Sequence, residues 1–533
     1  MRVRSPLLAT IALAAAACGP HSPDPPADGF VRAIQSGDPQ SLTLIGNTDR
    51  FGSDLGRLIS DPLVDHDAAG GYVPRVAQSW TVSDDGREVA FRLRDGVRWH
   101  DGTAVVARDV VFTADRVRDP ATQARTWASQ FVPVESVTAE DARTVVVRYR
   151  EAVADPLEAW RVPLVPSHLA DAGAGFLTGA YSRHPVGCGA YRFVRHVPGV
   201  EVVVEANADY WDGPPANRGL TFRILRDDRT SYEALLRGDV DIWVATPDFW
   251  REAQTSPRAG RLARFVNERQ AIWYLGCNLD GSNPFFGDPR VRRALTHALD
   301  RESFAASVVR GLGRPPATTY LPGNPWRDAA VSPRRFDPGL ARALLAEAGW
   351  RDTNADGILD RDGRPFSFSL LYASGNQEIA DRIAAWIQRS LAEVGLEVRL
   401  ERLDWQIMQQ RRREGRFEAA MASWLLGLTP DQWEAWHSTA RANGLNYGGL
   451  RDADVDRLLE RGRVERDPVA RREIYAGLQR RLFELEPITP LFQFLQPVLH
   501  DARLRGVTGS PFGLYDFTPG ARAWRWAGAA EPH

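Results

Sequence analysis

The segment from residue 74 to residue 120 constrains the fold of this chain most. Apolar and polar side chains alternate along residues 88–94 and again around Trp80 and Val82, and a period of two is typical of half-buried strands. Asp85-Gly86, between the two runs, supplies the positive backbone angles of a tight hairpin. The sequence therefore predicts a β-hairpin with one buried face. The inward side chains of its second strand are expected to be Val89, Phe91 and Leu93.

A short helix is predicted after the hairpin. The turn His100-Asp101-Gly102 ends the extended structure that runs through Trp99. Apolar residues at helical spacing follow Asp109, whose charge in the first turn favours the helix dipole. Those apolar residues are Val110, Phe112, Ala114 and Val117.

Together these elements resemble the signature of the family 5 solute-binding proteins of ABC importers, the dipeptide-, oligopeptide- and nickel-binding group. That signature has a Trp strand, an Asp-Gly hairpin, a strand ending in Leu-Arg-Asp-Gly-Val, an aromatic-His-Asp-Gly turn and a helix that opens on Asp-Val. The resemblance implies an α/β fold of two lobes, the type II periplasmic-binding-protein-like fold, with an extra subdomain in the first lobe. Val106 departs from the family, which has a Thr there as helix N-cap. Loss of that hydroxyl should cost about 1 kcal/mol of local stability.

The composition argues against nucleic-acid binding and against lysine chemistry. The 533 residues include 66 basic and 68 acidic side chains, so no strong net charge favours nucleic acid or an acidic membrane surface. All the basic residues apart from histidine are Arg, which excludes a Schiff-base lysine and a lysine-bearing phosphate loop. A chain of this length exceeds one core and should divide into two or three lobes.

The N-terminus is typical of an exported protein. Arginines precede an apolar run at residues 7–17, which has about the length of a signal-peptide core. The run ends in Ala-Ala-Ala-Cys, which resembles a bacterial lipobox. We therefore expect a signal peptide in residues 1–17, lipidation of Cys18 and a Pro-rich tether in residues 18–28. The alternative is a cleaved export signal of a soluble protein, in which Cys18 has no role.

The resemblance also implies how the chain divides into lobes. Residues 272–278 are expected to form a strand that crosses from the first lobe to the second, and residues 488–494, ITPLFQF, to re-enter the first lobe. Helices that alternate with strands along the second lobe argue for an α/β architecture. The expected segments are residues 29–55, 185–271 and 490–528 for the first lobe, 56–184 for its extra subdomain and 272–489 for the second lobe.

Helix boundaries in the second lobe are predicted from their capping residues. Asp288 and Asp337 each precede a proline, the pattern of an N-cap followed by the first helical position. Gly349 and Gly395 are the expected ends of two helices. The inward residues are expected to be Val291, Leu295, Ala298 or Leu299, then Leu340, Leu344, Leu345 and Ala348, then Ile379, Ile383, Trp386, Ile387, Leu391 and Val394.

Cys188 and Cys277 remain once Cys18 is assigned to the lipid. In an exported protein two such residues are candidates for a disulfide, and both stand where the family has other residues. Two interpretations stay open: a bridge near the lobe junction, or two buried thiols that act as small apolar residues.

No motif in the sequence indicates catalysis, and we expect neither an enzyme nor a cofactor. The His residues show no tight metal spacing, and neither a Gly-flanked Ser elbow nor a His-Glu zinc helix occurs. The one metal candidate is a calcium-type loop, in which Gly363 stands where the bidentate Glu belongs. Its ligands would be Asp352, Asn354, Asp356 and Asp360.

Residues 417–447 resemble the family segment that lines the cleft from the second lobe. Peptide-binding members place an Asp just after a Trp to receive the amino terminus of the ligand, since a desolvated ammonium needs an opposite charge. Here Leu-Leu-Gly-Leu follows the Trp, and Asp431 is the first acid. Either Asp431 takes the amine role or the ligand has no amine. The predicted ligand-binding residues are Trp424, Asp431, Trp433, Trp436 and, at the end of the crossing strand, Asn278.

The function implied by the resemblance is solute capture for import. We expect a monomeric lipoprotein, in the periplasm or at the cell surface, that closes its lobes on a peptide or another small solute. Its partners would be this ligand, the permease and ATPase complex of an ABC transporter, and the membrane through the lipid anchor, with no nucleic acid. Two alternatives stay open: a receptor domain that senses a ligand without importing it, and a secreted hydrolase.

Overall fold

The computed structural model describes residues 26–39, 41–46, 49–169, 176, 179–373 and 378–528. The predicted signal peptide, Cys18 and most of the predicted tether lie outside these residues. Within the described ranges every helix is too short or too polar to cross a bilayer.

A seven-stranded mixed sheet forms the centre of the first lobe. Phe30–Gln35 pairs in parallel with Gly219–Ile224, while the C-terminal strand Gln496–Asp501 pairs antiparallel with Leu262–Asn267. The sheet therefore joins segments that are far apart in the sequence. Its strand order is Leu262–Asn267, Gln496–Asp501, Ile242–Val244, Phe30–Gln35, Gly219–Ile224, Glu201–Ala206 and Tyr191–Val197.

The predicted hairpin is confirmed in a separate four-stranded antiparallel sheet. Ala77–Val82 pairs with Glu88–Leu93 across a turn that contains Gly86 at φ 70°. The predicted inward residues of the second strand are fully buried, whereas Val82 is exposed at the end of the first strand. The strand order is Ala77–Val82, Glu88–Leu93, Thr144–Tyr149 and Val134–Ala139. This sheet shares one hydrophobic core with the seven-stranded sheet.

The helix predicted after the hairpin spans Ala107–Arg118, and Val106 at its N-cap makes no side-chain capping bond. The carboxylate of Asp109 accepts the N–H of Val106 at 2.9 Å instead. It also accepts the indole N–H of Trp99 at 3.1 Å and the N–H of Ser167 at 3.0 Å. This buried carboxylate therefore ties the helix start to the preceding turn and to a distant loop, a role beyond the predicted dipole interaction.

The second lobe is built on a six-stranded mixed sheet. Ala271–Cys277 lies inside it, antiparallel to both of its neighbours, and Ser367–Ala373 pairs in parallel with Glu397–Leu403. The strand order is Gly313–Arg314, Ile488–Phe494, Ala271–Cys277, Ala419–Leu425, Ser367–Ala373 and Glu397–Leu403. Two-stranded pairs complete the strands: Val64–His66 with Tyr72–Pro74, Asp360–Arg361 with Arg364–Pro365, and Leu504–Arg505 with Arg525–Trp526.

The capping predictions in the second lobe are confirmed. The carboxylate of Asp288 accepts the N–H of Arg290 at 2.8 Å, and that of Asp337 accepts the N–H of Leu340 at 2.8 Å. Gly349 and Gly395 end their helices with positive φ, as expected. Leu340 was expected inside but is 41% exposed, because the face of this helix that packs inward carries Ala341 and Leu345.

Among the described residues the α-helices are, in chain order, Arg50–Ile59, Ala107–Arg118, Arg125–Ala128, Ala180–Arg183, Asp228–Arg237, Pro247–Thr255, Pro289–His297, Arg301–Ser307, Pro338–Glu347, Glu378–Ala392, Trp405–Arg413, Trp433–Trp436, Ala440–Asn443, Ala453–Val464 and Pro468–Leu485. Short 3-10 turns occur at Pro120–Thr122, Ser129–Phe131, Glu158–Arg161, Pro257–Ala259 and Gly520–Ala523.

Two short crossings join the two large sheets. Residues 268–270 lead into Ala271–Cys277, and Leu495 alone separates Ile488–Phe494, in the second sheet, from the next strand of the first sheet. The expected boundary at residue 489 therefore falls inside a strand, and the re-entry into the first lobe comes at Leu495. Sequence pattern identified this segment as a strand but carried no signal for its partner in the sheet.

Hydrogen bonds hold the two crossings side by side. The side-chain amide of Gln493 donates to the carbonyl of Arg269 at 3.1 Å. The side-chain amide of Asn267 donates to the Oε1 atom of Gln496 at 3.1 Å. Each bond links one crossing segment to the other, so the connection between the lobes is a paired one.

The two buried cysteines are free thiols, so the bridge considered from the sequence is not formed. Cys188 packs in the core of the first lobe, with its sulfur 3.6 Å from the hydroxyl of Ser60. Cys277 packs in the core of the second lobe. Burial raises the pKa of each thiol to about 12, so both remain protonated and unreactive at neutral pH.

The backbone at Gly187 packs closely against the end of the helix Arg50–Ile59, and this contact can be tested by substitution. A Cβ atom there would overlap the carbonyl oxygen of Ile59, whereas a Cβ at Gly37 would meet nothing within 4 Å. We expect Gly187→Ala to lower the free energy of unfolding by at least about 2 kcal/mol, because the helix end at Ile59 must move. Urea unfolding followed by tryptophan fluorescence measures this change. Gly37→Ala is the control, and equal stability of the two variants would contradict the expectation.

Candidate functional site

A cavity of about 670 Å³ lies between the two lobes. First-lobe residues reach it from the helix Arg50–Ile59 and the turn Glu158–Arg161, and second-lobe residues reach it from the strands Ala271–Cys277 and Ala419–Leu425. Sites for small molecules in proteins have volumes of about 300 to 1,000 Å³. The cavity is therefore large enough to enclose a small solute between both lobes.

Direct contacts beyond the crossings also join the lobes. The hydroxyl of Ser129 donates to the carboxylate of Glu434. The backbone N–H of Ala154 donates to the carbonyl of Arg463 at 2.8 Å, and the guanidinium of Arg466 donates to a carbonyl of the hairpin turn. The two lobes are therefore closed on each other in this structure.

Aromatic side chains of the second lobe form one wall of the cavity, and the three predicted tryptophans are among them. The rings of Trp424 and Trp436 meet edge to face, with centroids 5.9 Å apart. The indole N–H of Trp436 donates to the side chain of Gln432 at 2.8 Å, and Trp433 stacks on His437 at 3.5 Å. These contacts fix the rings, so the wall is rigid and largely apolar.

Asp431 lines the same cavity, but its charge is already balanced within the protein. The Nε atom of Arg463 donates to its carboxylate at 2.7 Å, and the other oxygen accepts the N–H of Trp433 at 3.0 Å. An amine of a ligand would have to compete with this guanidinium for the carboxylate.

Asn278 is not among the residues that line the cavity. Its side-chain amide donates to the carbonyls of Gly415 and Phe417, at 3.1 Å and 3.0 Å, and to the hydroxyl of Ser282. Its side-chain oxygen accepts the N–H of Asp280. Asn278 therefore holds loops of the second lobe together, and a contact of Asn278 with the ligand stays a prediction. A polar residue at a strand end serves either role, and the sequence did not distinguish them.

In the Asp-rich turn that was predicted to bind calcium, the side-chain oxygens accept hydrogen bonds from the backbone of the turn itself. Asp352 accepts the N–H of Gly357 at 3.0 Å, and Asp360 accepts the N–H of Thr353 at 2.8 Å. Asp356 accepts the N–H of Ile358 at 2.8 Å, and Asn354 accepts that of Asp356 at 3.1 Å. Among the residues that the structure describes, no three His, Cys, Asp or Glu side chains come together as a metal site.

The structure adds cavity residues that sequence reasoning missed. Arg412 lies in a run of three arginines, which is typical of a solvated surface, yet it is only 4% exposed. It follows the buried Met408 by four positions, and residues at that spacing share a helix face. That spacing was the available signal. Tyr274, Tyr447 and Glu434 also line the cavity.

Glu434 is a carboxyl with an unusual environment. Burial, with a contribution from the nearby charge of Asp431, raises the pKa of Glu434 to about 7, although Arg463 acts in the opposite direction. Near neutral pH this side chain is therefore divided between its acid and carboxylate forms, in contrast to an ordinary surface Glu.

These features define a protein of two α/β lobes that are joined by paired crossings and have a cavity between them. The profile described as bacterial extracellular solute-binding proteins, family 5 Middle, matches residues 71–446, and the chain belongs to this family. The family is one of solute-binding proteins, so this chain is a binding protein and not an enzyme.

Particular relatives extend the match over most of the chain. The oligopeptide-binding protein AppA of Bacillus subtilis (strain 168) is 28% identical over 469 residues, which cover 86% of this chain and 84% of the relative. The solved structure of AppA from Bacillus subtilis in complex with a nonapeptide matches with a TM-score of 0.84 at 26% identity, over 94% of this chain and 99% of that one.

More distant relatives carry other names. The nickel-binding periplasmic protein of Escherichia coli (strain K12) is 23% identical over 465 residues, 85% of this chain and 87% of the relative. The structure of the Escherichia coli murein tripeptide binding protein MppA has a TM-score of 0.79 at 22% identity, over 94% of this chain and 99% of that one. The two-lobed fold predicted from the sequence is thereby confirmed.

The environment of Glu434 predicts a pH effect on stability. The folded chain ionises this carboxyl near pH 7, whereas an ordinary Glu ionises near pH 4.5, so the folded state binds more protons between these values. The free energy of unfolding of the wild type should therefore fall, relative to that of Glu434→Gln, as the pH rises from about 4.5 to about 7, and the difference should stay constant above that range. Calorimetry over this pH range measures it.

Glu473→Gln is the control for the loss of one negative charge, since Glu473 is exposed on the helix Pro468–Leu485. A difference between the wild type and Glu434→Gln that does not change with pH would contradict the assignment of Glu434.

Proposed function

We propose that this protein is the substrate-binding lipoprotein of an ABC importer. It captures a peptide or another small solute between its lobes and delivers it to a permease, and it leaves the solute chemically unchanged. The observation that carries the proposal is the cavity, because residues of both lobes line it and the described chain passes between those lobes at two short crossings. The names of the relatives, which include oligopeptide- and nickel-binding proteins, support binding of a small solute.

The aromatic wall supplies the contacts that the proposal needs. Trp424, Trp433 and Trp436 offer large apolar faces, and such faces hold the body of a ligand whatever its polar groups are. Closure of the lobes removes water from these faces, so the closed form gains contacts with the ligand that the open form lacks. A permease that recognises the closed form would then receive loaded protein in preference to unloaded protein.

The identity of the solute is tested by what the protein carries. The protein is purified from the bacterium that encodes it, extracted from membranes in mild detergent, denatured, and the released compounds are identified by mass spectrometry. We expect one small solute, or one related set, in an amount close to that of the protein. The proposal would be contradicted if no solute were released, or if the protein converted the released compound to a product on incubation.

Import is distinguished from sensing by uptake. Deletion of the gene should abolish accumulation of the identified solute, labelled with an isotope, and a plasmid copy should restore it. A deletion strain that still accumulates the solute but no longer changes its gene expression in response would favour the receptor alternative over transport.

Lipid anchoring at Cys18 is tested by substitution. We expect the wild type to incorporate labelled fatty acid and to partition with membranes, and Cys18→Ser to lose both properties because the thiol is the site of lipidation. Cys188→Ala, which removes a thiol buried in the first lobe, is the control and should remain with membranes. Equal partitioning of Cys18→Ser and the wild type would refute the anchor.

A further inference from the structure

Two carboxyl groups lie where the lobes meet, one in each lobe. Glu434 of the second lobe contacts the hydroxyl of Ser129 in the first lobe. Asp155 of the first lobe follows Ala154, whose backbone N–H donates to the carbonyl of Arg463 in the second lobe at 2.8 Å. Opening of the lobes breaks both of these contacts and admits water to both carboxyl groups.

The contacts of Asp155 within its own lobe require an extra proton. The hydroxyl of Tyr72 lies 2.8 Å from an oxygen of Asp155 and 2.8 Å from an oxygen of Glu158. A tyrosine hydroxyl has one hydrogen, so it donates to only one of the two carboxyl groups. The other contact, at hydrogen-bond distance, needs a hydrogen on a carboxyl oxygen. The two carboxyl groups therefore share one proton, as neighbouring acids of like charge do.

The surrounding groups assign this proton to Asp155. Burial opposes ionisation of Glu158, but Arg161 at 2.9 Å, with a smaller effect of His66 at 3.4 Å, outweighs burial and lowers the pKa of Glu158. Burial and the charge of Glu158 raise the pKa of Asp155, although the hydrogen bond from Tyr72 acts in the opposite direction. Asp155 is therefore the acid that takes up a proton.

The second lobe places charges of both signs near Asp155. Arg471 lowers the pKa of Asp155, and Asp431 raises it. The guanidinium of Arg471 donates to the carbonyl of Gly462 at 3.1 Å. Among the residues that the structure describes, none forms an ion pair with Asp155, so the second lobe covers this acid without neutralising it.

Glu434 is in a similar position on the other side of the boundary. Burial and the charge of Asp431 raise its pKa to about 7, and Arg463 acts in the opposite direction. Arg463 is already paired with Asp431 at 2.7 Å, so it compensates Glu434 only in part. The hydroxyl of Ser129 can donate to a carboxylate and accept from a carboxylic acid. In the open form, where water reaches Glu434, its pKa should return towards the ordinary value of 4.5.

We propose that closing the lobes binds protons at Asp155 and Glu434, so that the protein holds its solute more tightly in acid than in alkaline surroundings. This inference rests on the proposed function and names a regulation of the same cavity. The sign follows from linkage, because the form that binds more protons is favoured at low pH. The advantage of the closed form is complete below the ordinary pKa of these acids. It is lost as the pH rises through the raised values, which for Glu434 means about 7.

Hydrogen exchange at Ala154 provides the first test, because this N–H bonds across the lobe boundary and its protection reports the closed fraction. The protein purified from its own bacterium is measured at about pH 5 and about pH 8, and each rate is compared with the intrinsic rate of an unprotected amide at that pH. We expect protection at least about fivefold lower at the higher pH. Equal protection at the two pH values would overturn the inference.

Substitution of the two acids provides the second test. Glu434→Gln and Asp155→Asn, combined in one variant, put uncharged amides in place of both groups, so the protection of Ala154 should be the same at the two pH values. The matched control combines Glu473→Gln and Glu151→Gln, which remove one exposed acid from each lobe. It should keep the pH dependence of the wild type.

Circular dichroism establishes that the variants are folded. If the double variant does not fold, Glu434→Gln alone replaces it and should lose part of the pH dependence. A folded variant that keeps the whole pH dependence of the wild type would contradict the assignment to these carboxyl groups.

The solute separates this inference from the proposed function. Protein that carries its co-purified compound is dialysed at about pH 5 and about pH 8, and the compound that remains is released by denaturation and quantified by mass spectrometry. We expect at least about fivefold less of it per mole of protein at the higher pH. Equal retention overturns the inference but leaves the proposed function standing. If no compound is released at either pH, the proposed function fails, and exchange at Ala154 alone decides whether closure binds protons.

Discussion

Charge balance inside the cavity is the constraint on which the closed structure depends. Closing two lobes removes water from arginines and acids that line both faces, and each unpaired charge then opposes closure. Asp516 shows how the protein meets this requirement, since its carboxylate lies 3.1 Å from Arg57 and 3.5 Å from Arg161. The arginines that the helix Arg50–Ile59 and the turn Glu158–Arg161 bring to the cavity are therefore already paired with carboxylates.

Elements with local signals were predictable from the sequence. The hairpin at Asp85-Gly86, the N-caps at Asp288 and Asp337 and the helix end at Gly395 each depend on a few adjacent residues, whose conformational preferences hold in most contexts. The buried faces of the hairpin and of the helices were predictable for the same reason, because the spacing of nearby apolar residues determines them. Leu340 shows the limit: it fits the helical period, but the neighbouring surface determines which of two adjacent faces is covered.

The site was less accessible to sequence reasoning, because its properties arise from residues that are distant in the chain. Three tryptophans were placed at the cavity because they lie in one recognisable segment. The pairing of Asp431, which lies in a loop, with Arg463, on the helix Ala453–Val464, could not be predicted from either residue alone. Cys188 and Cys277 likewise gave no indication that they lie in separate cores. The burial of Arg412 was not predicted, because its neighbours in the sequence are charged. Its spacing of four residues from the buried Met408 was the only indication in the sequence that it lies on the inward face of the helix.

The paired crossings have a mechanical consequence. One crossing is three residues long and the other is a single residue, so few backbone torsions are available to change when the lobes move. Since Gln493 and Asn267 tie the two segments together, those torsions must change in concert. We therefore expect the lobes to rotate as two rigid bodies about one hinge axis. A single rotation angle would then separate an open form from the closed one.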